Sequence, residues 1–151
     1  MDMPRHEELS RRGNVLLESA RANQGEQAEV LYHAACEAYA DALQLQPDTA
    51  EALVGLGCGH LALAVRARDA GVRQALLAQA RRMLIAAEAQ GAPSAAYNLA
   101  CLCALDGDQR GCRQWLERCR STLRLPPEEQ LLSDPDLTAM RSEAWFAELA
   151  R

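Results

Sequence analysis

Apolar residues recur at intervals of three and four along most of the chain, with polar residues between them. In an α-helix these intervals place side chains on one face, so the pattern is typical of amphipathic helices. Long runs that alternate apolar and polar residues, as half-buried strands do, are scarce. The pattern therefore predicts an all-α protein with helices near residues 7–22, 26–45, 49–66, 71–90, 94–105 and 109–124.

Turn and capping residues support the same helix ends. Pro47 ends the second predicted helix, Asp48 is placed to cap the third, and Glu51 stands where a capping box needs it. Gly107 suits the end of the fifth helix, and Asp108 suits the start of the sixth. The apolar pattern and the local breaks thus predict one consistent set of helices.

A repeat of 44 residues relates three parts of the chain. Its marker is a large residue in each first helix: Leu9, Leu53 and Tyr97. A small residue follows each marker after four positions: Gly13, Gly57 and Cys101. Small residues there would let paired helices approach closely. We predict a single domain over residues 1–151, with repeats at about 6–48, 49–93 and 94–126 and a capping segment at 127–151.

Composition and charge narrow the classes of function. The chain has 151 residues, 49% of them hydrophobic, 25% charged and 4% aromatic, which fits one domain whose core is filled by small aliphatic side chains. Its net charge is -5 and its arginines are spread out, so a phosphate backbone is a poor partner. The longest nearly apolar run, LVGLGCGHLALAV, is too short to cross a bilayer, and MDMPRHEELSRRG lacks a secretory signal core. We expect a cytoplasmic protein that binds neither nucleic acid nor membrane.

The repeat units resemble a known family. The second repeat carries Leu53, Leu56, Gly57, Ala80, Leu84 and Ala87, and the first carries Ala35, Tyr39, Ala42 and Pro47. In this spacing they resemble the tetratricopeptide repeat, in a long-period bacterial variety whose extra residues lie near the turns at 22–29 and 67–75. The segments YNLACLCALDGDQRGCRQWLE and DPDLTAMRSEAWF resemble the closing module of such arrays. The resemblance implies an all-α, right-handed superhelix of three antiparallel helix hairpins plus C-terminal capping helices.

The same resemblance implies a binding face and a function. In the family, the first helix of each pair lines the concave face. By register this face would carry Ser10, Asn14, Leu17, Val54, Cys58, Leu61, Asn98, Leu102 and Leu105. The set is mostly apolar and lacks Lys and Arg, so it suits a peptide or helix of a partner protein better than a carboxylate clamp. We expect a protein-interaction scaffold or adaptor, possible roles being in assembly or with chaperones.

A second hypothesis is a structural module whose groove or end face is buried in a homo-oligomer. In that case a second copy of the chain would cover the groove. In another alternative, the C-terminal helix of the same chain fills the groove in place of a partner. Trp145 and Phe146 are expected to staple that helix over the last repeat.

The six cysteines and three histidines do not predict catalysis, a metal or a cofactor. Cys101, Cys112 and Cys119 fall at positions where the repeat requires small buried side chains. Cys101 and Cys103 are two residues apart on a helix, so they point in different directions and cannot share one zinc ion. His60 falls on an inward helix position and has no recognisable catalytic partner. We therefore expect the protein not to be an enzyme.

Overall fold

The fold is all-α in a computed structural model that describes residues 2–151. These residues form eight α-helices and one 3₁₀ helix and contain no strand. The helices are α1 (Arg5–Arg21), α2 (Gly25–Leu45), α3 (Ala50–Arg66), α4 (Ala70–Ala89), α5 (Ala95–Leu105), α6 (Gln109–Ser121), α7 (Glu128–Ser133), the 3₁₀ helix (Pro135–Met140) and α8 (Ala144–Ala150). The six predicted helices are confirmed to within three residues at each end. None of the described helices combines the length and the apolarity needed to cross a bilayer.

The chain divides into two compact units, Met1–Ala92 and Pro93–Arg151. In the first unit, α1 packs on α2, α2 on α3, and α3 on α4. In the second unit, α5 packs on α6 and on the 3₁₀ helix, and α8 packs on α6 and α7. The division falls at the predicted start of the third repeat, while the single domain stays a prediction.

The glycines of the first unit make room for larger side chains on neighbouring helices. A Cβ on Gly13 of α1 would lie 2.5 Å from the Tyr39 ring, and a Cβ on Gly55 of α3 would overlap the same ring. A Cβ on Gly57 would lie 2.6 Å from Cγ of Leu84 on α4. Tyr39 therefore inserts between α1 and α3, and the predicted close approach at Gly13 and Gly57 is confirmed.

The start of α3 differs from the prediction. The carboxylate of Asp48 accepts a hydrogen bond from Gln46 Nε2 at 2.9 Å and does not cap the helix, whose N-cap is Thr49. The Thr49 hydroxyl donates to the Gln46 carbonyl at 2.9 Å instead of accepting from α3. The Asp48 cap was thus wrong, because local side chains competed for the turn. Asp108 does cap α6, where it accepts from the Gly111 amide at 2.9 Å.

The core of the second unit is rich in thiols. Cys101, Cys103, Cys112 and Cys119 are all buried, and Phe146 is buried with them. Burial, with Cys103 and Asp108 nearby, raises the pKa of Cys112 to about 12. Burial also raises the pKa of Cys101. These two thiols therefore stay protonated at neutral pH. Their burial confirms the packing role predicted for them, and Cys101 Sγ in addition donates to Asp134 Oδ2 at 3.9 Å.

Candidate functional site

A hydrogen-bonded chain of three side chains links three of the four helices of the first unit. The Tyr39 hydroxyl donates to Asn14 Oδ1 at 2.6 Å, and Asn14 Nδ2 donates to Glu51 Oε1 at 2.5 Å. Burial, with Cys58 nearby, raises the pKa of Tyr39, so its hydroxyl keeps its proton and remains a donor. The chain runs from α2 through α1 to α3 and holds an exposed carboxylate on α3 in one orientation.

The nine predicted partner-binding residues differ in their access to solvent. Ser10, Leu17, Leu61 and Leu102 are buried, whereas Asn14, Val54, Cys58, Asn98 and Leu105 are half-buried. The buried four present little surface to a partner. Their role in binding stays a prediction, and the half-buried five are the ones a partner could touch directly.

The accessible side of α3 forms a stripe that sequence reasoning identified only in part. Glu51, Val54, Cys58, Ala62 and Val65 follow one another at spacings of three and four, and each is half-buried or exposed. These spacings place all five on one helix face. Leu61 lies one position away from Ala62 and is buried. Continuing the three-and-four spacing from Val54 and Cys58 would have found Ala62 and Val65.

We call this stripe, together with Asn14, the first-helix face. The solvent-facing residues of α1 beside Asn14 are Glu7, Arg11, Val15, Glu18 and Arg21, and all of them except Val15 are charged. Of these, Arg21 and Glu18 pair at 3.7 Å, an exposed contact that contributes little to stability. An apolar centre next to a charged edge is the usual arrangement of a protein-binding surface.

His60 lies on α3 outside this stripe. It is half-buried, and its Nδ1 has no hydrogen-bond partner among the described residues. Burial lowers the pKa of His60, and the nearby His33 and Arg82 lower it further. The imidazole therefore stays neutral at neutral pH, as a packed histidine would.

The second unit contains a cluster of possible metal ligands. One ligand atom each from Cys101, Asp134 and Asp136 lies within 4.8 Å of the other two. Asp134 already accepts hydrogen bonds from the Tyr97 hydroxyl and, at 3.0 Å, from the Asp136 amide. Burial raises the pKa of Asp136, and the Asp134 carboxylate raises it further. The bonds to Asp134 fix the start of the 3₁₀ helix, which gives the cluster a structural role.

Two turns of the first unit border a charged cleft, which we call the turn cleft. It has a volume of about 770 Å³ and is lined by Gly25, Glu26, Glu29, Arg66, Ala67, Arg68, Asp69 and Val72. Residues 25–29 begin α2, Arg66 ends α3, and residues 67–72 form the turn to α4 and its first residues. Sequence reasoning placed the extra length of the repeat at these turns but assigned no site to them.

Comparisons of the chain with protein-family models, with curated proteins and with solved structures gave no match.

Proposed function

We propose that this chain is a protein–protein interaction scaffold, an adaptor that binds a helix or an extended segment of a partner protein on the first-helix face. The observation that carries the proposal is the accessible apolar stripe of α3 beside a carboxylate held by Asn14. A partner that covers half-buried apolar side chains removes them from water, which favours association. Glu51 would orient the partner by pairing with a Lys or an Arg.

The architecture we propose is the right-handed superhelix of helix hairpins seen in tetratricopeptide repeats, closed by C-terminal capping helices. Support comes from the glycine contacts at Gly13 and Gly57, which recur at the 44-residue spacing in two successive helix pairs. In that architecture α1 and α3 line the concave face. We propose a bacterial cytoplasmic role in assembly or beside chaperones, and we propose no catalytic step and no cofactor.

A pull-down from a bacterial lysate tests this function. The variant carries Val54→Arg and Val65→Arg, which put two charges into the stripe at positions that are half-buried and exposed. The matched control carries Val30→Arg and Ile85→Arg, which change exposed residues on the second helices of the two pairs. We expect one partner that wild type and control capture and that the stripe variant loses.

Two results would contradict the proposal. Capture of the same partner by all three proteins would place the interaction outside the first-helix face. Loss of the partner in both variants, with far-ultraviolet circular dichroism unchanged, would show that added charge anywhere on the first unit prevents binding.

A homo-oligomeric module is the second candidate function. Large apolar side chains are also exposed elsewhere, as Val15 is at 69% and Leu123 at 93%. Exposed apolar residues of this size could be covered by a second copy of the chain. A mass that rises with concentration in light scattering, and that falls in a Val15→Arg, Leu123→Arg variant, would favour this candidate.

A further inference from the structure

The turn cleft combines acidic and basic side chains from two different parts of the first unit. The start of α2 contributes Glu26 and Glu29, the end of α3 contributes Arg66, and the turn to α4 contributes Arg68. Val72, exposed at the start of α4, adds an apolar group. The volume of about 770 Å³ falls among ligand-binding pockets, which span roughly 300–1,000 Å³.

Four of the five charged side chains of the cleft form no ion pair with one another. No ion pair or hydrogen bond joins the side chains of Glu26, Glu29, Arg66 and Arg68 to any other described residue. The fifth charged residue, Asp69, is occupied, because its carboxylate accepts from the Val72 amide at 2.9 Å and caps α4. Asp69 therefore has a structural role as a helix cap. The two carboxylates and two guanidinium groups that remain around the cavity can pair with a ligand.

Arg66 is held in place before any ligand binds. Its guanidinium carbon lies 4.8 Å from the ring centroid of Tyr32, and this ring is only 6% exposed. A guanidinium group that rests on a fixed aromatic ring loses less conformational freedom when it pairs with a ligand. Its planar fork of donors matches the two oxygens of a carboxylate.

We infer that the turn cleft binds a peptide segment that carries an acidic and a basic side chain close together. The acidic side chain would pair with Arg66 and Arg68, and the basic one with Glu26 and Glu29. A purely anionic ligand would meet the carboxylates of the cleft, and a purely cationic one would meet its guanidinium groups. A ligand with one acidic and one basic group can place each group beside cleft side chains of the opposite charge. The cleft therefore selects against ligands of a single charge by repulsion between like charges.

This inference rests on the proposed role in protein interaction but concerns a surface separate from the first-helix face. It is tested with synthetic peptides, so it does not require the cellular partner. The bipolar probe is acetyl-Gly-Asp-Ala-Lys-Gly-amide. The two single-charge controls replace its Asp with Asn or its Lys with Gln.

Binding is followed by ¹H–¹⁵N nuclear magnetic resonance titration of the whole chain. We expect the bipolar peptide to shift the amides of residues 25–29 and 66–72 in a saturable way, and each control peptide to bind about threefold more weakly, because the cleft side chains are exposed. The variants Arg68→Gln and Glu29→Gln should each weaken binding by about threefold, because each leaves one peptide charge unpaired. Arg12→Gln and Glu37→Gln, exposed on α1 and α2 outside the cleft, should leave it unchanged.

Equal binding of the three peptides would overturn the inference, and so would unchanged binding in both cleft variants. Absence of any saturable shift at these amides would overturn it as well. Failure here is distinguishable from failure of the proposed function. Capture that is lost only in the Val54→Arg, Val65→Arg variant, with no peptide binding, rejects the cleft alone, whereas peptide binding with unaffected capture rejects the first-helix face alone.

Discussion

At the scale of single residues, Gly57 determines how closely α3 approaches α4. The Cβ of any other residue would lie 2.6 Å from Cγ of Leu84, whose side chain is fully buried. We expect Gly57→Leu to lower the free energy of unfolding by about 3 kcal/mol, because the added atoms must push the helices apart. Urea denaturation measures the change. Ala78→Leu, at an exposed site on α4, adds similar bulk and should change stability by only about 0.5 kcal/mol. Equal effects of the two substitutions would contradict the assigned contact.

Asn14 forms hydrogen bonds with both Tyr39 and Glu51 and so connects them. Asn14→Ala leaves the buried Tyr39 hydroxyl without its acceptor, and we expect a loss of about 1–3 kcal/mol in the free energy of unfolding. Tyr39→Phe removes that hydroxyl and supplies the matched background. In this background Asn14→Ala should cost about 1 kcal/mol less, a coupling that a double-mutant cycle in urea would measure. Strictly additive losses would show that the hydrogen bond contributes nothing to stability.

At the scale of helices, His60 makes α3 sensitive to acid. Its pKa is lowered in the folded chain by burial and by the nearby His33 and Arg82. In the unfolded chain, the pKa of a histidine is about 6.5. As the pH falls, the unfolded chain therefore takes up a proton first. The contribution of neutral His60 to stability is complete above the unfolded pKa and is lost as the pH falls through it toward the folded pKa.

We accordingly expect the free energy of unfolding to decrease as the pH is lowered from roughly 7 to 5, and His60→Gln to reduce this dependence. Thermal denaturation across this pH range measures both. The wild-type chain, measured over the same pH range, is the reference. A wild-type slope in His60→Gln would assign the acid sensitivity to other groups.

The helices could be predicted from the sequence because their signal is local. Apolar spacing and a few turn residues determine where each helix lies, and Asp108 caps α6 as predicted. Asp48 failed as a cap because Gln46 and Thr49 offered competing hydrogen bonds within the same turn, and a capping pattern does not rank such competitors.

The candidate sites were less predictable because they depend on contacts between distant parts of the chain. Register placed Leu61 on the binding face, but one helical position turns a side chain by about 100°, which is enough to bury it while Ala62 stays accessible. The bond from Asn14 to Glu51 joins residues 37 positions apart, and the turn cleft joins α2 to the α3–α4 turn. No pattern within a short stretch of sequence predicts either the hydrogen bond or the cleft.

At the scale of the whole molecule, each unit has a hydrophobic cluster of its own. One cluster gathers buried residues from Leu9 to Leu63, and the other gathers buried residues from Ala100 to Ala150. A unit that holds its own core can fold alone if it buries enough surface, and the fraction buried falls as a chain shortens. The two units should therefore differ in their stability as isolated fragments.

We expect the fragment 1–92 to unfold cooperatively in urea, with helical circular dichroism and with the Gly57→Leu destabilisation seen in the whole chain. The fragment 93–151 is shorter and buries proportionally less surface, so we expect it to be marginally stable, within about 3 kcal/mol of unfolding. Val72→Ala, at an exposed position of the fragment 1–92, is the control for Gly57→Leu, and it should leave the stability of the fragment unchanged. If the fragment 1–92 lacks a cooperative transition while the whole chain has one, the core of the first unit depends on the second. That outcome would favour the single domain predicted from the sequence over two units that fold independently.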